Sequence, residues 1–206
     1  MPLQNRVTPF GEIVAYADRG LLMGNRGIVH DETQRIVRSW QVKRWIACRT
    51  EFRGRWRPVM QPHTWTELFF LDEATAFAAG HRPCGECRYA DYQRFTAAWA
   101  VWSGERVDAE RMDAILHADR LEGRGRRQRK RTYQEQIAAL PDGTFIRLDG
   151  AAWLRWRGHL LAWSPAGYGV RKPLPIEGMV EVLTPRALVA VLSSGYQPMV
   201  HPSADE

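Results

Sequence analysis

Residues 80–88 read Gly-His-Arg-Pro-Cys-Gly-Glu-Cys-Arg, and they contain two of the three cysteines in a chain of 206 residues. Cys84 and Cys87 are three positions apart, so a turn between them can bring both thiolates to one tetrahedral ion. Gly85 lies inside that turn, where a residue without a side chain lets the backbone bend. Because thiolate-rich sites in intracellular proteins favour zinc, the stretch predicts a structural zinc site.

A tetrahedral zinc site needs two ligands in addition to this pair. Cys48 is the remaining cysteine and ends a predicted strand, which would hold its thiol in place. We predict His63 as the fourth ligand, because it lies in a loop between Cys48 and the pair; His81, three residues before Cys84, competes with it. The alternatives are two reduced, buried thiols or a redox pair, although a redox pair prefers a βαβ unit that is not predicted here.

The segments around this stretch predict helices and strands. Asp72 and Gly80 fit the N-cap and the stop of one helix. A later helix is expected to bury Met112, Ile115 and Leu116. The predicted helices are 72–79, 87–103 and the residues after Asp108, and the predicted strands are 11–17, 67–71, and 35–48 as two strands or one bent strand.

Strand signals dominate the C-terminal third. Thr132 and Glu135 fit a capping box, which predicts a short helix up to residue 140. Asp149-Gly150 is a turn signal between apolar runs, so we expect a β-meander, and Thr184 is predicted to cap a terminal helix. The predicted strands are 144–148, 151–156, 159–163 and 179–183, with an irregular loop over 164–175.

One glycine-rich loop has two interpretations. Gly20, Gly24 and Gly27 flank Asn25 and Arg26. Such a loop can bring its backbone close to a phosphate, but isolated glycines more often form hairpin turns, which is the interpretation we prefer.

The composition is that of a globular protein with one domain or two small ones, with 45% apolar and 25% charged residues. We find no stretch that resembles a signal peptide and no apolar run near the roughly 20 residues that span a bilayer. An odd number of cysteines argues against a disulfide framework, so a cytoplasmic location is expected.

Positive charge is concentrated in one segment. Residues 119–131 contain seven basic and two acidic side chains, so they account for +5 of the formal net charge of +6. Guanidinium groups pair well with phosphates, and such contacts dominate sequence-independent affinity for nucleic acids. A solvated charged loop is the alternative. The predicted contact residues are Arg124, Arg126, Arg127, Arg129, Lys130 and Arg131.

Residues 69–87 resemble the zinc-binding domain of the Ada DNA-repair proteins. The shared features are an aromatic strand, an alanine-rich helix and Arg-Pro-Cys-x-x-Cys, here Arg82 to Cys87. In that family the last two cysteines bind zinc, two more come from an upstream Cys-Arg-x-x-Cys element, and one of those accepts a methyl group from a DNA phosphotriester. Cys48-Arg49 occupies the place of that element, but Phe52 replaces its second cysteine. The resemblance therefore implies a related zinc fold and contact with DNA rather than RNA, with Cys48 as a structural ligand.

Two enzymatic alternatives remain. Asp113 and His117 are four residues apart and share one helical face, where they could orient a water for a glycosylase or nuclease acting on modified or damaged DNA; an exposed polar face is the simpler interpretation. Pro83 to Cys87 also fits half of a zinc deaminase motif, but His63 and Glu67 are too far apart for its His-x-Glu half.

We therefore predict an α+β protein that contains zinc and binds DNA, of the bacterial repair or defence type. Residues 1–103 are expected to form an Ada-like, zinc-bearing part with helices. Residues 104–140 are expected to form a helical segment with a basic loop. Residues 141–206 are expected to form a small antiparallel meander and a terminal helix, which could share one core with the first part.

Overall fold

Two six-stranded β-sheets and four α-helices form the fold over residues 1–54, 58–123 and 125–206, which the structure, a computed structural model, describes; for Arg126 it describes the backbone only. This arrangement confirms the α+β class. No helix within these ranges is long and apolar enough to cross a membrane.

The N-terminal sheet has the cysteine-containing stretch at one edge. Its strands are β1 (Gln4–Val7), β2 (Ile13–Ala15), β3 (Leu22–Asn25), β4 (Ile46–Arg49), β5 (Leu68–Phe70) and β6 (Arg82–Pro83). Their spatial order is β2-β1-β5-β3-β4-β6. Strands β4 and β6 pair in parallel, with Ala47 opposite Pro83. This pairing brings the end of β4 next to the residues that follow β6.

The helices are α1 (Glu73–Ala78), α2 (Tyr89–Ser103), α3 (Ala109–Arg120) and α4 (Arg186–Ser193). The carboxylate of Asp72 caps α1 by accepting a hydrogen bond from the Thr75 N–H at 2.8 Å. Gly80 follows α1 with φ +87°, a left-handed conformation that favours glycine. Asp108 caps α3 in the same way, with its carboxylate 2.8 Å from the Arg111 N–H. These local signals confirm the predicted helices.

The C-terminal sheet is antiparallel throughout. Its strands are β9 (Tyr133–Gln136), β10 (Phe145–Leu148), β11 (Ala151–Trp156), β12 (His159–Ser164), β13 (Gly167–Pro173) and β14 (Met179–Val182). The order is β13-β12-β11-β10-β14-β9. Two short strands, β7 (Leu121–Glu122) and β8 (Arg129–Lys130), form a separate hairpin within the basic segment.

Several local predictions are wrong because long-range pairing decides these segments. The predicted helix over 132–140 is strand β9 followed by a 3₁₀ turn, since β14 satisfies the backbone of β9. The predicted loop over 164–175 contains β13. Of the predicted 35–48 strand, only 46–48 belongs to a strand, β4, and Ile36 forms an isolated bridge with His30. Ile115 is 36% exposed, whereas Met112 and Leu116 on the same helix are fully buried. The Thr184 hydroxyl accepts from the Phe145 N–H instead of capping α4.

Helix α1 joins the two halves of the protein. All of its residues are buried. Phe77 packs in one apolar cluster with side chains of α2, α3 and α4, and Ala74 packs in another with β10 and β11. Ala76 contacts a third cluster, on the N-terminal sheet. Because alanines are small, three layers of the structure approach this short helix closely. Side chains from before and after the predicted boundary at residue 141 therefore share one core.

Candidate metal centre and cationic cavity

Three cysteines converge where β4 and β6 end. Cys48 lies in β4, Cys84 follows β6, and Cys87 lies in the turn before α2. The Cys84 N–H donates to the Ala47 carbonyl at 2.9 Å, which fixes the two strand ends side by side. The three sulfur atoms lie within 4.8 Å of one another, and all three residues are buried. This cluster could hold a metal ion.

The backbone around the cluster is arranged to stabilise thiolates. The Arg49 N–H donates to Cys87 Sγ, and the Glu86 N–H donates to Cys84 Sγ, each at 3.4 Å. Hydrogen bonds from Cys48 and Cys87 lower the pKa of Cys84, while hydrogen bonding to Cys84 raises the pKa of Cys48. Because the three thiols are so close, deprotonation of one makes deprotonation of the next less favourable. A bound cation would stabilise all three thiolates.

Neither predicted histidine lies in this group. The side chain of His63 is 85% exposed, and its Nε2 atom is 3.6 Å from Glu32. His81 is fully buried, but it lies between Trp45 and Phe70, and its Nε2 accepts from Arg26 at 3.4 Å. Within the described ranges, no histidine, carboxylate or further cysteine joins the three sulfurs as a fourth ligand. The position of His63 in a loop between Cys48 and Cys84 therefore did not bring it to the cysteine cluster.

A cavity of about 390 Å³ borders the cysteine cluster. Cys48, Cys84 and Cys87 all line it. The rest of its lining is largely apolar and includes Met23, Ile46, Phe52, Val59, Trp65 and Phe69. The cysteine cluster thus faces open space on one side, although the three residues are buried.

Asp113 and His117 do not face a common open site. Both carboxylate oxygens of Asp113 accept hydrogen bonds from Arg82, and both side chains are buried. His117 packs edge-on against Trp40, with ring centroids 4.4 Å apart, and its Nδ1 is 3.0 Å from the Arg120 guanidinium. Burial and the charge of Arg120 lower the pKa of His117 to about 4. Asp113 is therefore held in a buried ion pair, and His117 is held by its contacts with Trp40 and Arg120.

The predicted basic loop is partly ordered as the β7–β8 hairpin. Arg127 and Arg131 are exposed. Arg129 is 79% exposed and pairs with Glu122 at 2.6 Å. Lys130 turns inward and donates to the carbonyl of Ala78. Arg124 and the side chain of Arg126 lie outside the described residues.

A second basic segment contacts this hairpin. Trp40 Nε1 donates to Gln128 Oε1 at 2.8 Å. Trp40 lies in a stretch that also carries the exposed side chains of Arg38, Lys43 and Arg44. The contact therefore joins residues 38–44 to the hairpin and extends its positive surface.

Beneath these segments is a cavity of about 850 Å³, which we call the cationic cavity. Its lining comes from both sheets and from the hairpin, and it includes Arg26, Arg38, Trp45, Arg120, Arg129, Lys130 and Arg147. The guanidinium carbons of Arg26 and Arg120 lie 4.2 and 3.8 Å from the centre of the Trp45 ring. Both arginines are almost fully buried.

Arg26 and Arg120 were not predicted as site residues from the sequence. Arg26 belongs to the glycine-rich loop that we interpreted as hairpin turns, and Gly27 beside it has φ +91°. The signal that could have indicated Arg26 is its position between glycines and apolar residues, where a buried side chain is more expected than an exposed one. Arg120 is the first basic residue of the charged segment, but it ends α3 and points inward.

No family model, curated protein or solved structure matches this chain.

Proposed function

We propose that this chain is a zinc-containing protein that binds DNA, of the DNA-repair or defence type. The observation that carries the proposal is the Trp40–Gln128 hydrogen bond, which joins two basic segments into one surface. Guanidinium and ammonium groups on that surface suit the phosphates of a nucleic-acid backbone. DNA is favoured over RNA by the resemblance of residues 69–87 to the Ada zinc domain.

Zinc is the ion that best fits three thiolates. It binds cysteine sulfur at about 2.3 Å, so ligands of one tetrahedral ion lie roughly 3.8 Å apart. The 4.8 Å limit on the three Sγ separations is compatible with that spacing. Hard cations such as magnesium prefer oxygen ligands, which this cluster lacks among the described residues. Cys48, Cys84 and Cys87 would hold the ion, and its role would be to fix β4, β6 and the start of α2 together.

The enzymatic alternatives gain no support from the site geometry. The carboxylate of Asp113 is engaged by Arg82 on both oxygens. His63 is not among the groups within 4.8 Å of the cysteine sulfurs, so the structure gives no histidine ligand for a deaminase site there. We therefore do not assign a reaction to these residues.

Binding to duplex DNA at several salt concentrations tests the proposal. We expect the logarithm of the association constant to fall linearly with that of the salt concentration, with a slope of roughly −0.9 for each phosphate contacted. Replacing Arg127 and Arg131 with alanine should weaken binding and reduce the slope by about two. A matched variant that removes exposed Arg19 and Arg106, which lie on other segments, should bind almost as the wild type does.

The two double variants carry the same change in net charge, so their comparison separates local contact from general attraction. Equal weakening in both would remove the assigned role of the hairpin surface. Absence of duplex binding at about 50 mM salt would overturn the DNA-binding proposal itself.

A further inference from the structure

Three buried or half-buried cations converge on the cationic cavity. Arg26 and Arg120 are 2% and 1% exposed, and Lys130 is half-buried. In the described parts of the chain, no carboxylate oxygen lies within 4.0 Å of the charged nitrogens of these three residues. Buried charges are normally paired, since an unpaired charge loses its hydration without compensation. Three acidic residues, Glu12, Glu122 and Glu181, also line the cavity, but six basic residues do so, and positive charge is therefore in excess.

Two of these cations have an unused donor. Arg26 donates to Gly11 O at 3.0 Å and to Ser39 O at 3.5 Å through Nη1, and its Nε contacts His81. Its Nη2 is buried and has no hydrogen-bond partner. The Nε of Arg120 is likewise buried without a partner. Donors of this kind are costly in a finished structure, so protein groups leave the charges of Arg26 and Arg120 incompletely compensated beside the cavity.

We propose that the cationic cavity binds the phosphomonoester group of a nucleotide, held by Arg26 and Lys130 above the Trp45–Arg120 contact. A phosphomonoester carries close to two negative charges at neutral pH, so it compensates several cations better than a single carboxylate does. The planar fork of an arginine matches phosphate oxygens, and the lysine adds a point charge. This inference does not depend on duplex binding by the hairpin.

The size and lining of the cavity indicate a ligand larger than phosphate alone. A volume of about 850 Å³ lies within the range of sites for small organic ligands, roughly 300–1,000 Å³. Phe10 offers an apolar surface, while Glu12, Ser39 and Thr132 offer polar atoms along the same wall. A sugar and a base need this mixture. The same 5′-phosphomonoester exists in a free mononucleotide and at the 5′ end of a DNA strand.

The protonation of Lys130 supports the same assignment. Burial first, and then the charges of Arg26 and Arg120, lower the pKa of Lys130 to about 7, although Asp119 acts in the opposite direction. A phosphate dianion beside Lys130 would favour its charged form. Binding at about pH 8 should therefore take up a proton, which is measurable by calorimetry in two buffers of different ionisation enthalpy.

The test is calorimetric titration of the full chain with a 5′-mononucleotide, with the corresponding nucleoside, and with short single strands that carry a 5′-phosphate or a 5′-hydroxyl. We expect binding of the mononucleotide and none of the nucleoside. A preference for the 5′-phosphorylated strand over the 5′-hydroxyl strand identifies a strand end as the source. Equal affinity for both strands, with mononucleotide binding retained, identifies a free nucleotide.

Two variants target the site, because replacing a buried arginine could prevent folding. Arg26→Gln removes the unused donor, and Lys130→Gln removes one charge while keeping a donor for the Ala78 carbonyl. Each should weaken mononucleotide binding about tenfold or more, and Lys130→Gln should abolish the proton uptake. The control is Lys172→Gln, which makes the same charge change on β13, where Lys172 packs over Trp153.

Distinct results overturn this inference and the proposed function. Equal binding of nucleotide and nucleoside, no mononucleotide binding up to about 10 mM, or wild-type affinity in folded Lys130→Gln would overturn the phosphate site. The variant lacking Arg127 and Arg131, neither of which lines the cavity, should lose duplex affinity and keep mononucleotide binding. The two proposals can therefore fail separately.

Discussion

Arg82 and Asp113 form a buried two-point ion pair. Nε and Nη2 of Arg82 lie 2.8 and 2.7 Å from the two carboxylate oxygens of Asp113. Arg82 belongs to β6, two residues before Cys84 of the candidate metal centre, and Asp113 belongs to α3. The pair thus attaches a helix to the strand that precedes a cysteine of this cluster. In the sequence, the i,i+4 spacing of Asp113 and His117 suggested a catalytic pair. In the structure, Asp113 pairs with Arg82 and connects α3 to β6.

Asp113→Ala is expected to lower the free energy of unfolding by about 3–5 kcal/mol, because it leaves the Arg82 charge buried without its partner. Urea denaturation measures this loss. Glu105→Ala is the control, since Glu105 pairs with Arg111 at the surface and such pairs contribute about 0–1 kcal/mol. Similar losses in the two variants would contradict a structural role for the buried pair.

Metal content should separate the cysteines from the histidine predicted with them. Serine substitutions of Cys48, Cys84 and Cys87 are each expected to reduce bound zinc well below one equivalent and to lower the melting temperature, because the ion links three segments. His63→Ala should retain the wild-type amount, since that side chain is 85% exposed. Elemental analysis of purified protein gives the zinc-to-protein ratio.

Zinc loss in His63→Ala would show that the loop closes on the cluster. Unchanged zinc content in all three serine variants would remove the metal centre. Chelation adds an independent check: removing the ion from wild-type protein should lower stability as the cysteine substitutions do.

The sequence predicted the elements that are specified locally. Asp72 and Gly80 delimit α1 through a side-chain cap and a left-handed backbone, and both signals are contained in the segment itself. Cys84 and Cys87 likewise lie on one turn. Strand β9 could not be predicted in this way, because its partner β14 follows more than 40 residues later and outweighs the capping-box pattern.

The cationic cavity illustrates the same limit for a functional site. Arg26, Trp45, Arg120 and Lys130 come from four segments, and no local pattern relates them. The charge run around Lys130 was visible in the sequence, but the inward turn of that lysine depends on strand pairing between β7 and β8. The cavity that brings Lys130 together with Arg26 and Arg120 was not visible in the sequence.

Gly80 and Gly104 allow a matched test of packing around this cavity. Both have left-handed φ angles, +87° and +74°. A Cβ on Gly80 would lie 2.6 Å from Cδ of Arg120, whereas a Cβ on Gly104 has nothing within 4 Å. Gly104→Ala should cost about 1–2 kcal/mol from backbone strain alone.

Gly80→Ala should cost roughly 1–3 kcal/mol more than Gly104→Ala, because the buried Arg120 chain must move as well. Chemical denaturation of both variants measures the difference. Displacement of Arg120 should also weaken mononucleotide binding in Gly80→Ala and leave it intact in Gly104→Ala. Equal stability of the two variants would show that Arg120 adjusts without cost.

His117 should make stability depend on pH in acid. Burial, followed by the charges of Arg120 and Lys43, lowers its folded-state pKa to about 4 from an ordinary value of 6.5. Between these values the unfolded chain binds a proton that the folded protein does not bind. The free energy of unfolding should therefore fall as the pH decreases from about 6.5 towards 4.

His117→Gln should lack this component of the pH dependence. Other groups titrate in the same range, so the informative quantity is the difference in unfolding free energy between wild type and variant at each pH. That difference should be constant above about pH 7. As the pH falls to 5, the wild type should lose stability relative to the variant. Titration of the His117 ring by NMR gives the pKa directly. A midpoint near 6.5 would show that Arg120 and the surrounding tryptophans do not disfavour the imidazolium.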